Sequence, residues 1–157
     1  MSATEILDRA KAKGWRIATA ESCTGGMVAA ALTDIPGSSA VFERGFVTYT
    51  NLAKQQMIGV RAETLAAHGA VSEEVAREMA EGALAHSDTH LAVSITGIAG
   101  PGGSEFKPEG RVCFGLAAAG RPTITDTREF GAIGRANVRA ASRDHALTLL
   151  LGALRDE

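Results

Sequence analysis

The chain has 157 residues, 45% of them apolar and 22% charged, with a net charge of -2 and a pI near 6.1. That length suits one domain over residues 1–157 with its own core, and the weakly acidic balance with only 4% aromatics excludes a basic, base-stacking nucleic-acid surface. No run of about 18 apolar residues and no signal-peptide pattern occurs, so neither a membrane span nor export is expected; Cys23 and Cys113 form no disulfide framework or metal spacing, as suits a cytoplasmic protein.

A first helix is expected from near Thr4, with Ile6, Leu7 and Ala10 on one face and Gly14 as its stop. Ile17 to Ala20 reads as a buried strand, and Met27 to Thr33 as a helix. Between them lie Ser22, Thr24, Gly25 and Gly26, small residues that let a ligand approach the backbone where helix amides are unpaired. Two readings fit this break: an anion or oxyanion site carrying its own hydroxyl, or an N-cap at Thr24 with glycines serving only tight packing.

Asp34 to Ser39 is a loop by composition. Phe46 to Tyr49 is expected to be a second strand, running into a helix from Asn51 to Ile58 closed by Gly59. Residues 72–86 carry the clearest helix signal, with Ser72 as N-cap and Val75, Ala76, Met79, Ala80, Ala83 and Leu84 in one stripe. Leu91 to Thr96 reads as a buried strand that empties into a glycine- and proline-rich loop reaching Gly110, a length usual for functional loops. Val112, Phe114 and Leu116 alternate as a strand, Thr123 to Phe130 forms a more polar outer strand antiparallel to it, and a helix from about Arg135 to Leu154 closes the chain.

These elements indicate an α/β fold, a single-domain layered architecture with helices packed on a mixed sheet. Ligands in such folds sit at the carboxyl ends of strands, which directs attention to Ser22 to Gly26, Tyr49 to Lys54 and Thr96 to Gly103. Lys54 falls in the first turn of its helix, where the dipole disfavours an ammonium, so it reads either as a base for Ser22 or as a solvated surface residue. Tyr49 can reach the same pocket to relay a proton or orient the serine, or can be an ordinary strand aromatic. The four histidines sit at helix ends, in loops or inside the last helix, and no metal motif appears. Cys23 is read as a buried small residue. Arg135 and Arg139 share one face at the head of the last helix and can hold a phosphate or carboxylate, or be surface charge.

The segments Ala20 to Gly26, Gly45 to Lys54, Gly69 to Ser72 and Thr96 to Gly103 resemble, in order and spacing, those of the CinA C-terminal domain family, and the resemblance covers nearly the whole chain in its stand-alone form. It implies a cofactor-free hydrolase that converts the carboxamide of nicotinamide mononucleotide to nicotinate mononucleotide and ammonia in pyridine nucleotide salvage. On this resemblance Ser22 is the nucleophile, Tyr49 and Lys54 activate it, and Thr96, Arg135 and Arg139 lie near the substrate. Thr24, Gly25 and Gly26 are expected around the oxyanion, and the loop containing Gly97 and Gly100 is expected on the ribose phosphate. Gly134 stands where the family usually has an acid beside the arginine, which leaves open which arginine meets the ligand. A regulatory nucleotide-binding module linked to competence or DNA damage is the alternative. The partners expected are a small nucleotide and, from the alanine-rich helices, a second copy of the chain.

Overall fold

The computed structural model describes residues 2–104 and 106–155. Glu105, inside the loop expected between residues 97 and 110, lies outside the described residues, as does Met1 of the N-terminal segment.

Five strands form one sheet in the order β2-β1-β3-β4-β5, with β1 at Ile17–Glu21, β2 at Phe42–Val47, β3 at Leu91–Gly97, β4 at Arg111–Ala118 and β5 at Ile124–Glu129. Strand β1 runs parallel to β2 and β3, while β4 is antiparallel to both β3 and β5. Among the described residues there are six α-helices: α1 (Ser2–Lys13), α2 (Met27–Thr33), α3 (Asn51–Ile58), α4 (Ala62–His68), α5 (Glu73–Ala85) and α6 (Arg135–Arg155). None is long and apolar enough to cross a membrane. The expected α/β arrangement on a mixed sheet, with its antiparallel final pair, is the one found.

The alternation of strand side chains builds two different cores. On one face Ile17, Leu91, Val93, Ile95 and Phe114 meet Ile6, Leu7, Val28, Leu32, Leu147 and Leu150 from α1, α2 and α6. On the other, Ala18, Ala20 and Ala92 meet Val75, Met79 and Ala83 of α5 with Ile58 and Leu65. The small strand residues of this second face let α5 lie close to the sheet. At Gly115 an added Cβ would stand 2.3 Å from the Ala76 carbonyl oxygen and 2.7 Å from Ser94 Oγ. Gly115→Ala is therefore expected to destabilise the fold by about 1–3 kcal/mol, read as a lower midpoint in thermal unfolding.

Two elements differ from the sequence expectation. β2 begins at Phe42 and ends at Val47, earlier than the expected Phe46 to Tyr49. As an edge strand it exposes Arg44 and Val47 and keeps only Phe46 buried, so its apolar signal is weak. Helix α4 was not expected at all: seven residues long, it buries only Thr64 and Leu65.

Because β1, β2 and β3 are parallel neighbours, their carboxyl ends lie side by side. Ser22, Thr48 with Tyr49, and Thr96 with Gly97 thus reach one edge of the sheet.

Candidate active site

A cleft of about 320 Å³ opens at that edge, lined by Ser22, Cys23, Tyr49, Asn51, Lys54, Val71, Thr96, Gly97, Gly100, Ser104 and Arg135, among others. Among the described residues its ionisable basic side chains are Lys54 and Arg135, and none of the described lining residues carries a carboxylate. A cleft of that charge suits an anionic ligand.

Ser22 and Lys54 meet at the wall of the cleft. Strand periodicity puts Ala20 on the α3/α5 side of the sheet, and Ser22, two residues on, follows it. Helix α3 starts after Thr50, whose hydroxyl accepts a hydrogen bond from the Ala53 amide at 3.0 Å. Lys54, one turn further, is only 1% exposed. Its Nζ donates to Ser22 Oγ at 3.3 Å and to the carbonyls of Thr48 at 3.1 Å and Tyr49 at 3.2 Å. The alternative of a solvated surface lysine is thereby removed. Ser22, 8% exposed, donates its hydroxyl to the Tyr49 carbonyl at 3.4 Å, a long contact that rotation of the hydroxyl about Cβ–Oγ can exchange.

Tyr49 is placed otherwise than expected. Its backbone carbonyl, not its phenol, touches Ser22 and Lys54. The ring is 56% exposed, and its hydroxyl accepts from Arg135 at 2.9 Å. Arg135 also donates to the Gly100 carbonyl at 2.6 Å, so it ties the rim of the cleft to the glycine-rich loop. Arg139 takes no part in the cleft lining. Its guanidinium donates to the carbonyls of Cys23 at 3.0 Å and Thr24 at 3.3 Å, so Arg135 borders the cleft while Arg139 grips the turn behind Ser22.

Thr24, Gly25 and Gly26 are not among the residues that line the cleft, and Glu21 meets the polar groups behind them. Its buried carboxylate accepts from the Thr24 hydroxyl at 2.6 Å and from the amides of Gly26, Val28 and Ala29 at 3.2, 3.0 and 3.0 Å. The N-terminal amides of α2 are thus occupied by the chain's own anion. Gly25 and Met27 donate to the carbonyls of Ser22 and Thr24, whereas the amides of Cys23 and Thr24 donate to no other residue among the described residues. Glu21 was legible only as a letter of the motif. An acid at a strand end a few residues before a helix is the signal that points to such a cap.

Thr96 and the loop fill the far wall. Thr96 is 1% exposed and donates to the Ala70 carbonyl at 2.8 Å, while Gly97 leaves the space of a side chain to Val112, whose Cγ2 would sit 2.6 Å from an added Cβ. Gly100 has φ +89 with the Glu109 carboxyl behind it, and the Gly102 amide donates to Glu109 at 2.7 Å. None of the four histidines lines the cleft.

Cys23 adjoins Ser22 and is 5% exposed. Burial pushes its thiol up to about 11, against the opposing pull of its own amide and Arg139. The thiol is therefore protonated throughout the neutral range and is a poor nucleophile. In mass spectrometry, iodoacetamide at pH 8 is expected to leave Cys23 of the folded chain unmodified and to modify it only after denaturation.

A family model described as the CinA C-terminal domain matches residues 1–154. The chain is 60% identical over 141 residues to the Escherichia coli K12 protein named nicotinamide-nucleotide amidohydrolase PncC, covering 89% of this chain and 85% of that one. It is 54% identical over 147 residues to a CinA-like protein of Chlorobium phaeobacteroides, where the match covers 91% of this chain but 35% of that longer protein. The chain thus spans about a third of such CinA-like relatives. Among solved structures, the competence/damage inducible protein CihA from Agrobacterium tumefaciens superposes with a TM-score of 0.94 at 48% identity, covering 99% of this chain and 94% of that one.

Proposed function

The chain belongs to the CinA C-terminal domain family, and from that membership and the cleft we propose that it is a nicotinamide-nucleotide amidohydrolase, releasing ammonia from nicotinamide mononucleotide by way of a serine ester. The observation that carries the chemistry is the buried amine of Lys54 at 3.3 Å from Ser22 Oγ. An amine withdrawn from water favours its neutral form, and a neutral amine beside a hydroxyl is a general base.

In the proposed reaction Lys54 Nζ takes the Ser22 proton as Oγ attacks the carboxamide carbon. The oxyanion is held by the amide following the nucleophile, that of Cys23, whose residue lines the cleft. Collapse of the tetrahedral intermediate breaks the C–N bond, and Lys54 returns its proton to the departing nitrogen, giving ammonia. Water then attacks the ester carbon while Lys54 accepts its proton, and return of that proton to Oγ frees nicotinate mononucleotide and restores the serine. Arg135, with Tyr49 beside it and the loop from Gly97 to Gly103 opposite, supplies the positive charge and backbone donors suited to a ribose phosphate. No cofactor enters these steps.

The test is an ammonia-release assay with nicotinamide mononucleotide set beside other amides. Turnover of the nucleotide well above that of free nicotinamide supports the reading. Binding without turnover would favour the regulatory alternative.

A further inference from the structure

Glu21 does not line the cleft, yet its carboxylate accepts four hydrogen bonds from the stretch between Thr24 and Ala29 that follows Ser22. At 1% exposed, its carboxylate gathers the Thr24 hydroxyl and three amides on one side of the turn. From the other side, Arg139 draws on the carbonyls of Cys23 and Thr24. Arg139 thus holds carbonyls within the turn, while Glu21 holds the Thr24 hydroxyl, the amide at the end of the turn and two amides in the first turn of α2. Strand alternation has put Glu21 and Ser22 on opposite faces of the sheet, so the group that fixes the turn stays out of the way of the group that uses it.

We propose that Glu21 is a positioning residue for Ser22. Its carboxylate and the Arg139 guanidinium together clamp the turn so that Ser22 Oγ stays within reach of Lys54 and the Cys23 amide is kept for the oxyanion. This assignment rests on Ser22 being the nucleophile, as set out above.

The test compares the wild-type chain with Glu21→Gln and Thr24→Val. Glutamine keeps the volume but turns an NH2 group toward backbone donors. Because displacing a nucleophile by around an ångström costs on the order of 100-fold, Glu21→Gln is expected to lower kcat about 100-fold. KM should stay within about twofold, since no substrate contact is removed. Thr24→Val removes a single donor and is expected to lower kcat about 3- to 10-fold with KM unchanged. The rate at which a small fluorophosphonate labels Ser22, followed by mass spectrometry, should fall in step with kcat in both variants.

A fall in activity that titration of labelled sites accounts for entirely by fewer active molecules means a merely structural role and overturns the proposal. A change carried by KM, or a folded Glu21→Gln chain labelled at the wild-type rate, overturns it as well. If Glu21→Gln does not fold, the kcat and labelling rate of Thr24→Val decide. A wild-type chain that is labelled at Ser22 but releases no ammonia refutes the substrate while leaving the labelling comparison to judge Glu21; a wild-type chain that is not labelled at Ser22 removes both.

Discussion

Ser22→Ala is expected to lower kcat for ammonia release from nicotinamide mononucleotide by at least about 10,000-fold, the scale on which removal of a serine nucleophile acts in other serine hydrolases. The fold should be unaffected. Among the described residues Ser22 Oγ has a long contact to the Tyr49 carbonyl and the donation from Lys54, and Lys54 keeps its Thr48 and Tyr49 carbonyl acceptors when the hydroxyl is gone. Thermal unfolding within about 1 kcal/mol of wild type, together with unchanged substrate binding by calorimetry, would assign the whole loss to the chemical step. A variant that turns over at the wild-type rate would remove Ser22 from the mechanism.

The lysine is the second large effect, and two substitutions are needed to interpret it. Lys54→Met retains the length of the stem and removes the amine, and kcat is expected to fall about 1,000-fold or more. Lys54→Arg places a permanent cation there, a group that does not give up its proton in a protein, so it should be as inactive as methionine. An active arginine variant would show that position 54 supplies charge rather than a base. The methionine variant also leaves the Thr48 and Tyr49 carbonyls without this donor, so a lower unfolding midpoint is expected alongside the kinetic loss.

Much of the fold is readable where a residue's fate depends on its near neighbours in sequence. Ser72 with its apolar stripe marks α5, the run Leu91 to Thr96 marks β3, and the leucines near the end mark α6, all within a few residues of the observed bounds. The failures share a physical origin. β2 is an edge strand whose exposed residues owe nothing to a core, and α4 has too few buried side chains to impose a period. Both elements take their places from tertiary contacts rather than from local pattern.

The site divides in the same way. Ser22, Lys54, Thr96 and Arg135 could be singled out from the sequence because each is a reactive or charged residue at a strand exit or helix head. Whether Lys54 is solvated, where the Tyr49 phenol points and which arginine borders the cleft all depend on residues tens of positions away.

By itself, the order of residues determined the helices with a continuous apolar stripe, the buried strands, and the chemical types available at the three strand exits, because these follow from backbone periodicity and side-chain identity. Only the tertiary structure decided that a carboxylate one residue before the serine would satisfy the amides of α2, that a lysine 32 positions away would be buried against the serine hydroxyl, and that Arg139 would hold the turn while Arg135 holds the rim. Hydrogen-bond partners and burial are set by which elements the sheet brings side by side, and no local stretch of chain carries that information.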